Sequence, residues 1–476
     1  MKPFFNKTKI IATVGTVTNT REKLLELILA GVDVFRLNFS HGTHADHLKV
    51  IEHVRSINQE YGYNVGLLQD LQGPKIRVGM VENNGMELVK GGKLTITIND
   101  EIGKNGRVSC VYKALPKDVK VGDLILMDDG KLEVCVTAVR DTEVDTEVNY
   151  GGILKSKKGM NLPLTEISAP SLTAKDREDL TFGLEHDVEW IALSFVRSAE
   201  DILEVRQIIK ESGKFAHVIA KIERPEAIGK NIDRIIEVTD AVMVARGDLG
   251  VEIPLEDVPV VQKMIVHKCN AASKPVVIAT QMMESMIDAP RPTRAETNDV
   301  ANAVLDGADA LMLSGETAVG KYPLEVIRSM SKTINSVEIS SNVYNKYRDI
   351  DTSVPDATSR SLVQMACRLA EETQATAIIG MTQSGYTAYH LASHRPEAHV
   401  FIFTSNVPLL NTMSLIWGVR GFYYDKMTTT DETIADTANM LIEQGHLKKG
   451  DIFINTASMP IQEKHQTNML KITKVK

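Results

Sequence analysis

The chain has 476 residues, of which 43% are hydrophobic and 24% are charged, and its formal net charge is −8. This is an ordinary globular composition, and a length of roughly 150 residues per domain suggests about three domains. No basic tract stands out, so nothing supports a nucleic-acid partner. The 4 cysteines form no C-x-x-C pair, which indicates a reduced compartment without a zinc site. No signal peptide or membrane-spanning apolar run is visible, so we expect a cytoplasmic protein with no membrane partner.

Short apolar strands recur through the first two-thirds of the chain, and helical patterns separate most of them. The eight predicted strands cover residues 9–15, 32–40, 65–71, 189–196, 217–223, 241–247, 275–280 and 309–314. Helices predicted over residues 199–213 and 293–307 both end at a glycine, where helices commonly stop. Apolar strands that alternate with helices indicate a parallel α/β sheet, and eight such units fit a (β/α)₈ TIM barrel.

This alternation breaks between the third and the fourth strand. From Arg77 to about Pro163 the pattern changes to short strands with many Gly, Asp and Lys turns, for example over residues 93–100 and 121–139. From Val343 a third unit begins, with strands predicted over residues 376–382, 399–405, 451–457 and 469–475. We therefore predict an α/β protein of three units. They are a barrel over residues 1–71 and 168–342, an inserted all-β lid domain over 72–167, and a C-terminal α/β regulatory domain over 343–476.

Polar or charged residues follow the apolar body of most predicted barrel strands. The set is Arg36, Asn38, Ser40, Asp70, Ser194, Arg197, Lys221, Glu223, Asp248, Thr280 and Ser314. In a TIM barrel the catalytic groups lie at the carboxyl ends of the strands and in the loops after them. A single polar strand end is weak support, since every strand has to stop. Their recurrence around one rim predicts a functional site.

The stretch VIAKIERPE (218–226) places two charges on one face of a buried strand, because Lys221 and Glu223 are two residues apart. Burying either charge alone is costly, so the pair requires partners, a metal or a ligand. Glu223 and Asp248 suit Mg²⁺, because two carboxylates leave most of an octahedral shell to water and substrate oxygens. Arg36, Arg77 and Lys221 supply positive charge suited to phosphate or to the developing charge of an enolate.

Several familiar nucleotide and metal motifs are missing from the sequence. It contains no G-x-x-x-x-G-K-[ST] stretch, which excludes a P-loop, and no G-x-G-x-x-G after a strand in a dinucleotide-binding context. The 12 histidines show no H-E-x-x-H spacing. His41 follows a polar strand end and could line a site, although a single histidine is more often structural.

The chain resembles the pyruvate kinase family through a series of motifs that occur in the family's order. They are RLNFSHG (36–42), DLQGPKIR (70–77), KKGMNLP (157–163), AKIERPEA (220–227), MVARGDLGVEIP (243–254), ATQMMESM (279–286), PTRAE (292–296) and LSGETA (313–318). The C-terminal unit matches more loosely, through TQSGYTA (382–388), RPEA (395–398), WGV (417–419) and TN (467–468).

The resemblance implies transfer of the phosphoryl group of phosphoenolpyruvate to ADP, followed by protonation of the enolate, which gives pyruvate and ATP in the final step of glycolysis. Position by position, it implies that Glu223 and Asp248 hold Mg²⁺ or Mn²⁺. Lys221 would then stabilise the transferring phosphoryl group and the enolate, and Arg36 would contact phosphate. The inserted domain would close as a lid and exclude water.

The remaining substrate contacts are also implied by the resemblance. The Gly247 backbone and Thr280 would hold the substrate carboxylate, beside Asp248, and Thr280 and Ser314 would lie near the path of proton delivery. The residues implied on the nucleotide side are Arg77, His41 and Lys158.

The resemblance further implies a monovalent-cation site made by Asn38, Ser40, Asp70 and the Leu71 carbonyl. Position 75 is a lysine where family members that require K⁺ generally have a glutamate. The Lys75 ammonium could supply the charge that the bound ion otherwise provides, so we expect that K⁺ is not required. The alternative is that Lys75 is only a surface charge at the lid hinge.

In the C-terminal unit, Thr382, Ser384, Gly385 and Thr387 could form a phosphate cradle that leads into a helix beginning near Ala388. This resembles the family's sugar-phosphate effector loop. The family also has a second effector loop, which is rich in glycine. The corresponding segment here is ASMPIQEKHQTN (457–468), which contains no glycine. The resemblance of the first loop implies a sugar-phosphate or nucleotide effector. A homotetramer is expected by resemblance alone.

Two other classes of function stay open. The first is a Mg²⁺-dependent barrel lyase that acts on 2-oxo acids or phosphoenolpyruvate with the same metal pair; turnover without ADP would favour it. The second is a non-catalytic regulator that keeps the fold and binds metabolites. The retention of Lys221, Glu223, Asp248 and Thr280 argues against a regulator.

Overall fold

The computed structural model describes residues 5–163, 165–340, 343–426, 429–459 and 467–476. The chain begins with strands and helices in alternation: β1 (Lys9–Thr13), α1 (Arg21–Ala30), β2 (Val34–Asn38), α2 (His44–Tyr61) and β3 (Gly66–Asp70). The first turn of each helix is capped by a threonine, because Thr20 and Thr43 accept hydrogen bonds from backbone N–H groups. At the other end, Gly62 adopts φ +67° and stops α2.

The chain then leaves the barrel and forms a separate β unit. Its elements are β4 (Met86–Leu88), β5 (Lys93–Thr97), β6 (Arg107–Ser109), α3 (Leu115–Asp118), β7 (Leu124–Met127), β8 (Leu132–Val139), β9 (Glu143–Tyr150), β10 (Gly152–Leu154) and β11 (Met160–Asn161). Six strands pair in the order β11-β7-β8-β9-β5-β6, and β10 pairs with β4. We call residues 86–161 the insert. It has its own apolar core, which includes Ile96, Val134 and Val144.

The second part of the barrel contains the remaining strands and most of the helices. The elements are α4 (Ala174–Glu185), β12 (Trp190–Leu193), α5 (Ala199–Ser212), β13 (His217–Ile222), α6 (Pro225–Ile228), α7 (Ile232–Val238), β14 (Ala241–Ala245), α8 (Arg246–Glu252), α9 (Val258–Ala271), β15 (Val276–Ala279), α10 (Arg294–Asp306), β16 (Ala310–Leu313), α11 (Gly315–Ala318) and α12 (Pro323–Glu338). The two helices predicted to end at glycine do so, with Gly213 and Gly307 in left-handed conformations.

Eight parallel strands close into one barrel in the order β1-β16-β15-β14-β13-β12-β3-β2. The predicted TIM barrel is therefore confirmed. Buried apolar side chains, among them Ile11, Leu68 and Ile219, fill its interior. A second and larger apolar layer lies between the strands and the surrounding helices. Because all the strands run in parallel, their carboxyl ends meet at one rim.

The C-terminal unit is a five-stranded sheet with helices. Its elements are α13 (Ala357–Glu372), β17 (Ala377–Met381), α14 (Tyr386–Ser393), β18 (His399–Thr404), α15 (Val407–Thr412), β19 (Val419–Tyr423), α16 (Thr430–Glu443), β20 (Ile452–Ala457) and β21 (Met469–Lys474). The strand order is β19-β18-β17-β20-β21, in which only β21 is antiparallel to its neighbour. The predicted α/β class of this unit is confirmed, although β19 was not predicted.

Short 3₁₀ helices complete the described elements, at Glu82–Asn84, Leu255–Asp257, Glu284–Ile287 and Met413–Leu415. Within the described ranges, every helix is too short or too polar to cross a bilayer.

Candidate active site

One buried carboxylate organises the positive charges at the rim. Asp70 is the last residue of β3, and the Arg36 Nε of neighbouring β2 donates to its Oδ2 at 2.6 Å. The Lys221 Nζ, from β13, donates to its Oδ1 at 3.0 Å. All three residues are at most 9% exposed. Strand closure therefore brings together an arginine, an aspartate and a lysine that are far apart in the sequence.

The charges of this group support one another. Although burial opposes it, the cationic Lys221 and Arg36 hold the pKa of the Asp70 carboxyl below its ordinary value. Burial would likewise lower the pKa of Lys221, but the carboxylates of Asp70 and Glu223 raise it above its ordinary value. Both groups therefore remain ionised at neutral pH.

Glu223 and Asp248 lie on consecutive barrel units, at the end of β13 and in the first turn of α8. Burial and the nearby Asp248 carboxylate raise the pKa of Glu223, while Lys221, whose Nζ is 3.0 Å from Glu223 Oε1, opposes this. Carboxylates that repel each other in a buried place are what a divalent cation would compensate. No cluster of three or more acidic, histidine or cysteine ligands occurs among the described residues. The two carboxylates of Glu223 and Asp248 suit Mg²⁺ that is held largely by water and substrate oxygens.

Ser194 connects Lys221 to the loop that follows β3, through a contact that sequence reasoning missed. Its Oγ accepts a hydrogen bond from Lys221 Nζ at 2.7 Å and donates to the Leu71 carbonyl oxygen at 2.6 Å. The following residue, Phe195, has φ +55°, and its N–H donates to Glu223 Oε2 at 2.7 Å. Ser194 was visible in the sequence as a polar strand end. The role of the Phe195 backbone had no sequence signal.

Thr280 and Gly247 meet where β15 and α8 approach each other. The Gly247 N–H donates to Thr280 Oγ1 at 2.7 Å, and a Cβ on Gly247 would lie only 3.2 Å from that oxygen. Thr280 has φ +68°, which is strained for a β-branched residue. The carbonyl of Thr280 is held by Arg246 Nη2 at 2.9 Å, and Arg246 is itself paired with Asp299. The surrounding structure therefore enforces this conformation.

Ser314 follows β16, the neighbour of β15 in the barrel. Its N–H donates to Glu316 Oε2 at 2.7 Å, but its buried Oγ has no hydrogen-bond partner among the described residues. A buried hydroxyl without a partner is unusual and suggests a role with a ligand or a proton.

The residues implied for a monovalent cation are close together, but the protein already uses several of their atoms. Asn38 Oδ1 accepts the N–H of Ser40 at 3.1 Å, and the Leu71 carbonyl is bonded to Ser194. Asp70 is shared between two cations, as described above. Because β2 ends at Asn38, Ser40 lies in the turn after the strand. Ser40 is therefore outside the alternation that relates Arg36 and Asn38 along β2.

His41 lies beside three cations. Burial, and then the charges of Arg77, Lys75 and Arg36, lower its pKa. Lys75 lines the same cleft as Asp248, at the rim. Arg77 precedes the insert and is anchored to it, because its Nη1 donates to the Lys157 carbonyl oxygen at 3.0 Å.

Lys158 is not brought to the rim. Its Nζ is paired with Asp128 Oδ1 at 2.6 Å inside the insert. The cleft between the insert and the barrel is lined by Lys75, Asp129, Asn161, Arg197, Asp248 and Glu252, with Phe195 and Arg224.

The predicted effector residues lie in the C-terminal unit, away from the barrel rim. Thr382 Oγ1 accepts the Gly385 N–H at 3.0 Å, and Thr387 Oγ1 lies 2.9 Å from Thr467 Oγ1. Ser384 is exposed, and α14 begins earlier than predicted. Most of the second predicted loop, over residues 460–466, lies outside the described residues.

Comparisons with known proteins agree along the whole chain. Residues 5–327 match the family model "Pyruvate kinase, barrel domain", and residues 360–473 match "Pyruvate kinase, alpha/beta domain". A pyruvate kinase from Mycobacterium intracellulare is 43% identical over 468 residues, which is 98% of either chain. A pyruvate kinase from Geobacillus stearothermophilus is 41% identical over 98% of this chain and 80% of the relative.

The solved structures include a similar protein. The crystal structure of a pyruvate kinase from Cryptosporidium parvum superposes with a TM-score of 0.91 at 35% sequence identity. The match covers 99% of this chain and 96% of that one.

Proposed function

This chain belongs to the pyruvate kinase family and is a phosphotransferase, and we propose that it transfers the phosphoryl group of phosphoenolpyruvate to ADP in a Mg²⁺-dependent reaction. The observation that carries the proposal is the rim group in which Asp70 holds both Arg36 and Lys221. Phosphoryl transfer requires positioned positive charge more than a covalent nucleophile.

Each charged residue has a role that follows from its contacts. Lys221 stays protonated beside its two carboxylates and would stabilise the transferring phosphoryl group and then the enolate. Arg36 would contact the phosphate oxygens. Glu223 and Asp248 would hold the divalent cation, Mg²⁺ or Mn²⁺, which when bound would neutralise negative charge on the phosphate oxygens.

The other end of the substrate would lie against β15 and β16. Gly247 and Thr280 are hydrogen-bonded to each other, and together they would hold the substrate carboxylate. The buried hydroxyl of Ser314, which has no hydrogen-bond partner among the described residues, would take part in delivering a proton to the enolate.

The nucleotide would approach from the side of the insert. Arg77 and His41 would contact its phosphates, and Lys158 would join them once it leaves Asp128. The insert would close as a lid and exclude water from the reaction. The corresponding domains would be 1–71 with 168–342 for the barrel, 72–167 for the lid, and 343–476 for the regulatory unit.

Lys75 supports a proposal that the enzyme does not require K⁺. Its charge helps to lower the pKa of the His41 ring, and its side chain lines the same cleft as Asp248. A fixed cation at this place would substitute for a bound monovalent ion beside Asn38 and Asp70.

Regulation and assembly are proposals that rest on family membership and on one loop. The loop that contains Ser384 would bind a sugar-phosphate or nucleotide effector. The protein would act as a homotetramer in the cytoplasm.

The proposed metal site is tested by comparing Asp248→Asn with Asp233→Asn, an aspartate on the surface helix α7. In the first variant, the Mg²⁺ concentration for half-maximal pyruvate formation should rise by about tenfold or more. The second variant should behave as the wild type. Equal Mg²⁺ dependence in all three proteins would contradict the assignment.

A further inference from the structure

A buried ion pair joins the two segments that carry the proposed metal ligands. Arg224 directly follows Glu223, and Glu252 lies one helical turn after Asp248 on α8. Arg224 Nη1 donates to Glu252 Oε2 at 2.7 Å, and the two side chains are only 3% and 1% exposed. The pair therefore bridges the loop after β13 and the helix after β14, next to one metal ligand on each.

The same ion pair holds the chain where it returns from the insert to the barrel. We call residues 162–163 and 165–171 the stem. Arg224 Nη2 donates to the carbonyl oxygen of Thr165 in the stem at 3.0 Å. Asn161, the last residue of the insert, donates from Nδ2 to Glu252 Oε1 at 2.8 Å. One oxygen of Glu252 is thus bound by the barrel and the other by the insert.

Neighbouring contacts fix the guanidinium in this orientation. Glu226 accepts hydrogen bonds from Arg224 Nη2 at 3.0 Å and from Nε at 3.2 Å. A second arginine, Arg197, donates to the Ile167 carbonyl and to Ser171 Oγ in the stem. The Arg224 side chain can therefore not move without breaking contacts to both the barrel and the stem.

A structural anchor would be the simpler explanation for such a pair. Buried ion pairs are weak contributors to stability, because desolvation offsets most of their attraction, and apolar replacements are often tolerated. The position of this pair argues for more than an anchor, since each member is fixed to a segment that carries a metal ligand. A movement of the stem must change the distance between these segments.

We propose that the Arg224–Glu252 pair couples the position of the stem to the geometry of the metal site, so that closure of the insert and divalent-metal binding favour each other. Arg224 and Glu252 act as positioning residues and touch neither substrate nor metal. This inference rests on the proposed function, in which Glu223 and Asp248 hold the metal and the insert closes as a lid. Because coupling is reciprocal, a weakened stem must weaken metal binding.

The test uses Arg224→Lys, which keeps the charge but cannot contact Glu252, Glu226 and Thr165 at the same time. Binding of Mn²⁺ is measured by electron paramagnetic resonance with phosphoenolpyruvate present and ADP absent. The Mn²⁺ dissociation constant should rise by about tenfold. Hydrogen exchange of stem amides, followed by mass spectrometry in the same samples, should become faster.

The matched control is Arg395→Lys, at an ion pair of equal burial far from the rim. Arg395 Nη1 contacts Asp309 Oδ1 at 2.7 Å, with side chains 3% and 5% exposed. In this variant the Mn²⁺ dissociation constant should stay within about twofold of the wild type, because distant sites act independently. Wild-type Mn²⁺ binding in Arg224→Lys as well as in Arg395→Lys would overturn the coupling.

A second variant keeps the test decisive if Arg224→Lys does not fold. Asn161→Ala removes the contact from the insert and leaves the ion pair intact. Faster stem exchange together with weaker Mn²⁺ binding would support the coupling, and faster exchange with unchanged binding would overturn it. Failure of the proposed function is recognised separately, because the wild-type protein would then form no ADP-dependent pyruvate.

Discussion

Lys221 Nζ lies 3.0 Å from Asp70 Oδ1, so the lysine proposed to contact the transferred phosphoryl group is held by a carboxylate of the protein itself. Asp70 is 2% exposed and also binds Arg36. The cost of burying and orienting these charges is met during folding. They need little reorganisation when the substrate arrives, which is the condition for effective electrostatic stabilisation.

Removing the charge of Lys221 should therefore reduce catalysis more than stability. In Lys221→Gln we expect kcat to fall by about 10³-fold, because developing negative charge loses its cation. Steady-state kinetics with phosphoenolpyruvate measure the effect. The control is Lys274→Gln, a partly buried lysine that donates to the Thr239 carbonyl at 2.6 Å and lies away from the rim. A Lys221→Gln enzyme that keeps most of its kcat would contradict the assigned role.

Thr280 provides a test of the strained turn after β15. Thr280→Val removes the oxygen that accepts the Gly247 N–H but keeps the shape, so kcat should fall by about 10²-fold. Thr280→Ser keeps the oxygen and removes the branched carbon that disfavours φ +68°, so it should retain activity and melt at an equal or higher temperature. Similar kinetics in the two variants would show that Oγ1 is not needed.

Lys75 is expected to make added K⁺ unnecessary. The wild-type enzyme should be nearly as active in K⁺-free buffer as in KCl at the same ionic strength, whereas Lys75→Gln should be activated by K⁺, which would replace the missing charge. The measurement is the initial rate of pyruvate formation in tetramethylammonium chloride and in KCl. A rise of about tenfold or more on adding K⁺ to the wild type would contradict the assigned role.

His390 should make the C-terminal unit sensitive to acid. Burial, and then the charge of Arg360, lower the pKa of His390 to about 4, from an ordinary value of 6.5. A lowered pKa means that the unfolded state binds the proton more tightly. The contribution of neutral His390 to the free energy of unfolding is thus complete above about pH 6.5 and is lost as the pH falls towards 4. Between about pH 7 and pH 5, this histidine should cost about 2 kcal/mol of unfolding free energy.

The check on His390 is denaturant unfolding of the wild type and of His390→Gln at both pH values. The variant should lose less stability on acidification than the wild type, by about the amount given above. An equal loss in the two proteins would mean that His390 is protonated as easily in the folded state as in the unfolded state.

Ser384 is exposed, so a charge at this position should be tolerated by the fold. If the loop binds sugar phosphates, Ser384→Asp should abolish their effect on the enzyme through charge repulsion and leave basal turnover unchanged. Initial rates with and without the sugar phosphate measure this. Loss of basal turnover in the variant would show that the loop serves folding.

The barrel was predictable because its strands are apolar over most of their length and its helices carry clear end signals. The prediction of a strand over 217–223 corresponds to β13 at His217–Ile222, and the helix over 199–213 to α5 at Ala199–Ser212. The long strand β9 was missed although Val144, Thr146 and Val148 alternate with polar residues. β19 was missed because its sequence, VRGFY, contains an arginine and a glycine in place of a continuous apolar run.

The site was predictable as a set of residues but not as a set of contacts. Alternation along one strand places Lys221 and Glu223 on one face. It cannot show that Asp70, which is distant in sequence, accepts hydrogen bonds from both Lys221 and Arg36. Those contacts depend on how the strands close the barrel. Backbone contributions, such as the N–H of Phe195 on Glu223, leave no trace in residue types.

The measurement that tests the central claim most directly is pyruvate formation from phosphoenolpyruvate and Mg²⁺, with and without ADP, in K⁺-free buffer. The account predicts pyruvate only when ADP is present, with ATP formed in equal amount. Pyruvate formed at the same rate without ADP would contradict it and would favour a lyase that uses the same carboxylate pair.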